Sequence, residues 1–549
     1  MIPLPLCRQA TGPASRRDPS LLSINAREHL DRLLDQAGVE PLRGRLVGLE
    51  KENLRTTPDG TIAPGPHPEA LGSALTHPAI TTDYSEAQLE LVTPPCRDAA
   101  QSLAFLDQLQ RFIQASIGEE LLWAASMPCV VAGDEGIRIA SYGTSNEGLM
   151  RNIYRRGLGH RYGRTMQVIT GVHLNFSMGE EFWRAWYAAC GETKSLRAFR
   201  DQRYMGLVRN QQRLGWLVPY LFGCSPAVCN SFLRDLPGHN LAEWDDTTSY
   251  GPHATSLRMS DIGYQNRRTA GLRVGYNTLD QYVADLEYAI RTPWPDYQQI
   301  GVVVDGEYRQ LNANILQIEN EYYSSMRPKP PADSGLAPAA ALREHGIAYV
   351  ELRSLDLNMF DPLGVSEQQL RFLELFLLHC LLEHSPPIDS SEATEIDANQ
   401  SASAVQGRDP ALLLHRRGQP ILLRQWLGEV FDALEPLAAA LDTGDANTPY
   451  QSTLESLRPC CESPALTPSG RMLEQMAEGE QGFFSYAMAA ARRYRQHYID
   501  QPLPPERLAA LQQQARDSLA EQARREALTE PDFATWLGRR YPPAEHNSG

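Results

Sequence analysis

Apolar and polar residues alternate along Gln310-Leu-Asn-Ala-Asn-Ile-Leu-Gln-Ile-Glu-Asn-Glu321 and again along Ala348-Tyr-Val-Glu-Leu-Arg-Ser354. A period of two sends successive side chains to opposite faces of a strand, so both stretches are predicted as β-strands. Leu316 and Ile318 back the first, and Val350 and Leu352 the second. The other faces carry Gln317, Glu319 and Glu321, and Glu351 with Arg353. The same alternation recurs in Arg45 to Glu52, in Gln88 to Pro94 and in Gly171 to Ser177. It pairs Glu50 with Glu52, Gln88 with Glu90, and His173 with Asn175, while Asp83 and Glu86 lie in the loop before the second of these strands.

Elsewhere the period lengthens. Leu30, Leu33 and Leu34 mark a helix over Ala26 to Ala37, and Leu103, Leu106, Leu109 and Ile113 mark another. Helical patterns follow at 181–189, 200–214 and 279–291. Pro58-Asp-Gly60 is a turn, and Gly301 to Gln317 reads as a hairpin turning at Asp305-Gly306. Residues 328–341 read as a Pro/Ala-rich loop, and 385–408, rich in Ser, Asp, Glu and Pro, as a surface loop. Glu367 to His384 is apolar almost all round and predicts a buried helix. From 419 to 541 the pattern is helical, with a solvated helix near 505–527. The expected organisation is a flexible leader over 1–21, a body carrying the sheet over 22–365, a mainly helical region over 366–541 packed on it, and a tail over 542–549.

The polar faces change the picture. A single Glu-x-Glu pair in a strand is an ordinary solvated face, and a single His an ordinary core or surface residue. Here Glu50, Glu52, Asp83, Glu86, Glu90, His173, Asn175, Gln317, Glu319, Glu321, Glu351 and Arg353 all fall on such faces or beside them. Carboxylates on neighbouring strands repel, so a cation is needed among them. Oxygen ligands with one imidazole suit Mg²⁺, or Mn²⁺, rather than zinc. Magnesium shares its coordination with phosphate oxygens, which points to a nucleotide.

Charge sharpens this. The chain has 549 residues and a formal net charge of −16, from 67 acidic and 51 basic side chains. That argues against nucleic-acid and anionic-membrane partners, and it requires local cations for any anionic substrate. Arg258, Arg327, Lys329 and Arg353 are the candidates. The 9 cysteines show no C-x-x-C spacing and suit a reducing cytoplasm. No secretory signal or membrane span is expected from the apolar stretches. There is no G-x-x-x-x-G-K-[ST] loop, dinucleotide fingerprint, nucleophile elbow or H-E-x-x-H motif.

Several ordered blocks carry a resemblance. They include Gly48-Leu-Glu-Lys-Glu-Asn-Leu-Arg55, His67-Pro-Glu-Ala-Leu-Gly-Ser-Ala-Leu-Thr-His77, Tyr142-Gly-Thr-Ser-Asn146, Gln167-Val-Ile-Thr-Gly-Val-His-Leu-Asn-Phe-Ser177, Trp216-Leu-Val-Pro-Tyr-Leu-Phe-Gly-Cys-Ser-Pro226, Ala254-Thr-Ser-Leu-Arg-Met-Ser-Asp-Ile-Gly-Tyr264 and Val350-Glu-Leu-Arg-Ser-Leu-Asp356. Together they resemble the glutamate–cysteine ligases (γ-glutamylcysteine synthetases) of the proteobacterial type, in order and spacing over about 45–366.

The resemblance implies an α+β fold: a glutamine-synthetase-like, curved antiparallel sheet funnel surrounded by helices. It implies ATP-dependent joining of L-glutamate to L-cysteine through a γ-glutamyl phosphate, the first step of glutathione biosynthesis, with glutathione as feedback inhibitor. By position, Glu50, Glu52, Asp83, Glu90, His173 and Glu351 match the family's metal ligands, and Arg353 the arginine beside the transferred phosphoryl group. Tyr154, Arg258 and Tyr264 match the pocket for the acceptor cysteine. Tyr84 stands where the family has Phe, and Gln167 and Gln317 stand behind the substrate groups. A carboxylate–amine ligase with another acceptor, a catalytically dead binding protein and a metal-dependent phosphohydrolase are the competing readings. The intact carboxylate set with Arg353 speaks against the dead binding protein, and the phosphohydrolase would need no amine acceptor.

Overall fold

The computed structural model describes residues 25–541, apart from 129, 235, 237, 264–271 and 333–334. The expected leader, the tail and Tyr264 lie outside the described residues. Strand β1 (Arg45–Thr56) sits inside a 7-stranded sheet. Its companions are β2 (Ile80–Thr82), β3 (Gln88–Val92), β4 (Leu121–Leu122) and β5 (Val172–Met178). A 3-stranded sheet follows, of β6 (Ala227–Cys229), β7 (Ala242–Asp245) and β8 (Thr248–Tyr250). Then come the hairpin β9 (Val303–Val304) and β10 (Glu307–Tyr308), the large-sheet strands β11 (Met326–Lys329) and β12 (Tyr349–Leu355), and the hairpin β13 (Leu413–Arg416) and β14 (Gln419–Leu422).

The large sheet runs β11-β12-β5-β1-β3-β2, with β4 on β1, and all its pairings are antiparallel. Registry decides which side chains share a face. Glu50 lies opposite His173, Glu52 opposite Glu90, Glu351 opposite Asn175, and Arg327 opposite Glu351. The reverse face presents Val47, Leu49, Leu89, Leu91, Leu174, Phe176, Val350 and Leu352, all fully buried. Helices Ala99–Ser116, Leu196–Leu214 and Glu367–Leu382 join the same core. Lys51 also points to this reverse face, where its Nζ donates to Gln110 Oε1 at 3.2 Å. Burial lowers its pKa to about 7.

The alternation of Arg45 to Glu52, Gln88 to Pro94, Gly171 to Ser177 and 347–355 is realised as β1, β3, β5 and β12. Three expectations are corrected. Gln310 to Glu321 is not a strand but an irregular loop ending in the 3-10 turn Glu319–Glu321. Its polar side chains bond to a neighbouring helix rather than to a strand. Within 385–408, Ser390–Gln406 is a helix: Asp389 caps it, and Ile396, Asn399, Ser403 and Ala404 form a narrow buried stripe. Within 328–341, Met326–Lys329 supplies the edge strand and Pro338–His345 a short helix with Pro at its start. Pro328 is tolerated there because the strand is at the edge of the sheet. Among the described residues, no helix is long and apolar enough to cross a membrane.

Candidate active site

The polar face of the large sheet gathers an acidic wall. His173 lies at its centre, with Nδ1 3.3 Å from Glu50 Oε2 and 3.4 Å from Glu351 Oε1, and Nε2 3.5 Å from Glu52 Oε1. Glu50, His173 and Glu351 each offer one ligand atom, and these lie within 4.8 Å of one another. Asn175 Nδ2 donates to Glu50 Oε1 at 2.8 Å, and the Gly171 amide donates to Glu52 Oε2 at 3.1 Å. Burial depresses the His173 pKa, with Arg353 adding to the effect, so the ring is held neutral. A neutral imidazole is the form that ligates a metal.

Charge is distributed unevenly over the wall. Burial raises Glu351, but Lys329, Arg353 and Arg327 outweigh it and hold the carboxyl well below its usual range. Lys329 Nζ is 3.1 Å from Glu351 Oε2, Arg353 Nη1 donates to Oε1 at 2.8 Å, and Arg327 Nη1 is 3.8 Å from Oε2. The opposite end has too few cations. Burial and then Asp83 push Glu52 up to about 8, and burial with Glu50, Asp83 and Glu52 raises Glu90 well above its usual value. Acids raised in this way accept a cation in place of protons, so the donor set fits a hard divalent metal.

Asp83 lies in the turn between β2 and β3, where its carbonyl accepts from Tyr142 Oη at 3.0 Å and from Arg155 Nε. Tyr154 and Arg155 project from the helix Asn146–Tyr162. Arg155 bears electrostatically on Glu90 and on Tyr154. Burial raises Tyr154, with Glu321 as the next contributor. Arg258 occupies the 3-10 turn Leu257–Met259 and is 1% exposed. Its Nη2 donates to the Arg353 carbonyl at 2.8 Å, and its charge acts on Glu52.

The other candidates lie further back. Tyr84 is buried in a second apolar cluster, and a Cβ on Gly159 would sit 2.6 Å from its hydroxyl. Gln167 is half-buried in the 3-10 turn Thr165–Val168; among the described residues its side chain joins none of the wall's contacts. Glu86 staples loops, its carboxylate accepting from the His67 and Ser141 amides. Gln317 and Glu321 do not belong to the wall. Gln317 Nε2 donates to the Tyr154 carbonyl at 3.2 Å, and Glu321 Oε1 accepts from Arg161 Nη1 and Tyr162 Oη at 2.8 Å each. They fix the helix that carries Tyr154. Glu319 accepts from the Ala339 amide at 3.3 Å.

Sequence reasoning missed Arg155 and Tyr323. Tyr323 is half-buried, with Arg258, Arg353, Asp356 and Glu52 acting on it electrostatically, and its hydroxyl contacts Met259 Sδ at 3.4 Å. The period-two pattern could not single it out, because it follows the irregular loop.

An antiparallel sheet with an acidic inner face, cations at one end and helices behind defines the class: a glutamine-synthetase-like α+β ligase. Residues 30–403 match the model of the glutamate-cysteine ligase family, and the chain belongs to that family. It is 45% identical over 515 residues to a glutamate–cysteine ligase of Alcanivorax borkumensis, covering 93% of this chain and 98% of that one. It is 44% identical over 501 residues to one of Shewanella oneidensis, covering 91% and 95%. The crystal structure of the Francisella tularensis glutamate–cysteine ligase in complex with AMP superposes with a TM-score of 0.85 at 34% identity, covering 91% of this chain and 97% of that chain. A bifunctional glutathione synthetase of Pasteurella multocida shares the fold, with a TM-score of 0.69 at 23% identity over 87% of this chain and 55% of that one.

Proposed function

We propose that this wall joins the γ-carboxylate of L-glutamate to the amine of L-cysteine, using ATP and passing through γ-glutamyl phosphate. A γ-carboxylate oxygen attacks the terminal phosphorus of ATP, and the bond to ADP breaks with its electron pair. The cysteine nitrogen then attacks the acyl carbon, loses a proton, and phosphate departs with one oxygen that came from glutamate. The observation that carries this reading is the Glu50–His173–Glu351 cluster with the Arg353 guanidinium 2.8 Å from Glu351.

Glu50, Glu52, Asp83, Glu90, His173 and Glu351 are the residues that would hold Mg²⁺, or Mn²⁺. Such an ion would neutralise phosphate oxygens and would stabilise the transferring phosphoryl group. Arg353 stabilises the charge on that group, and Lys329 and Arg327 keep Glu351 ionised beside it. Tyr154 and Arg258, with Tyr264, hold the acceptor; Tyr84 and Gln167 shape the ground behind it. In this reading the enzyme works in the cytoplasm, and glutathione, which contains the product as a substructure, inhibits it.

Glutamate labelled with ¹⁸O in its γ-carboxylate tests the route. One label per turnover appears in inorganic phosphate if the acyl phosphate forms. Unlabelled phosphate would contradict the mechanism.

A further inference from the structure

We infer that Asp356 is a positioning residue, whose carboxylate locks two serine-bearing loops so that Arg258 is presented to the wall in one orientation. Asp356 lies just beyond β12 and is 2% exposed. Its Oδ2 accepts from the Cys224 amide at 2.8 Å and from Ser225 Oγ at 2.6 Å. Its Oδ1 accepts from Ser256 Oγ at 2.8 Å. Three donors from two segments thus converge on one carboxylate, and those segments touch through a parallel bridge between Ser225 and Ser256.

The serines pass this constraint on. Ser225 Oγ accepts from the Arg258 amide and Ser256 Oγ from the Met259 amide, each at 3.3 Å. The backbone of the turn carrying Arg258 is therefore bonded, through one hydroxyl each, to a single buried anion. The guanidinium is held by other contacts. Nη1 lies 4.0 Å from Asp356 Oδ1, and Nη2 donates to the Arg353 carbonyl at 2.8 Å. A Cβ on Gly171 would stand 2.4 Å from Nη2, so only glycine lets the arginine lie flush against the residue whose amide holds Glu52. An arginine ordered before substrate arrives loses less rotamer freedom on binding. Asp356 touches none of the wall's carboxylates; it acts through Arg258.

This rests on the reading that Arg258 meets the acceptor, and steady-state kinetics separates the two ideas. Wild type, Arg258→Ala, Asp356→Asn and the double variant are compared with each substrate varied in turn. Asparagine keeps the size of the side chain but replaces one acceptor oxygen with a donor group. Asp356→Asn is expected to raise the KM for cysteine roughly tenfold, leave those for ATP and glutamate within about twofold, and add nothing further in the Arg258→Ala background. If Arg258→Ala moves the KM of another substrate instead, the acceptor reading fails, while positioning survives if Asp356→Asn moves that same constant. Full additivity in the double variant, or a loss of thermal stability and kcat with every KM unchanged, overturns positioning. Ser225→Ala, which removes one limb only, is read in the same way if Asp356→Asn does not fold.

Discussion

Lys329 Nζ stands 3.1 Å from one oxygen of Glu351 while Arg353 Nη1 bonds the other at 2.8 Å. The two cations come from neighbouring antiparallel strands, β11 and β12, and their shared carboxylate is 1% exposed. Removing its charge takes away the carboxylate that both cations share beside the proposed metal position, leaving, of the carboxylates, only Glu50 acting on Lys329 and Glu50 with Glu52 acting on Arg353. Glu351→Gln is therefore expected to weaken Mg²⁺ or Mn²⁺ activation by roughly 10–100-fold, with partial rescue of kcat by excess metal. Titration of activity against metal checks this; an unchanged metal dependence would remove Glu351 from the ligand set.

The raised Glu52 predicts a pH signature. Burial and Asp83 take its carboxyl from the ordinary 4.5 to about 8. Between those values the metal-free folded protein binds a proton that the unfolded chain has released. Its contribution to stability is full below the unfolded value and is lost as pH rises through the folded one. The unfolding midpoint in EDTA should fall from about pH 5 to 8, and Mn²⁺ should bind more tightly over the same range with proton uptake by the buffer. Calorimetric titration in two buffers of different ionisation enthalpy measures this. A pH-independent affinity without proton release would contradict it.

Arg161 and Glu321 form a pair of a different kind. Neither side chain is exposed, and Nη1 lies 2.8 Å from Oε1. Removing one partner of such a buried pair costs about 3–5 kcal/mol, chiefly by stranding the other charge. Glu321→Gln should lower the denaturation midpoint clearly while leaving the metal titration in place. A shift in metal affinity comparable to that of Glu351→Gln would instead return Glu321 to the wall.

The difference between Glu321 and Glu351 also shows what the sequence could convey. Both sit in alternating stretches beside other polar residues. Glu351 lies on a strand because Val350 and Leu352 bury into the core beneath it. The loop around Leu316 is shaped instead by Arg161, whose side chain bonds Gln310, Asn312 and Glu321; that contact joins segments about 150 positions apart and leaves no local period. The wall residues of β1, β3, β5 and β12 were legible because a two-faced strand writes its burial into a period of two. Arg155 was not, because a charged residue on a helix becomes part of a site only once the helix is docked. The helix Ser390–Gln406 was hidden by its composition, since its buried stripe is small and partly polar.

Which amine takes the glutamyl group is tested most directly by a coupled assay of ADP release. Purified enzyme with ATP, Mg²⁺ and glutamate is offered cysteine, 2-aminobutyrate, alanine or ammonia, with the product identified by mass. Cysteine is predicted to give the highest kcat/KM, with one γ-glutamylcysteine formed per ADP. Turnover with cysteine no greater than with ammonia, or ADP release without an amide product, would contradict the account.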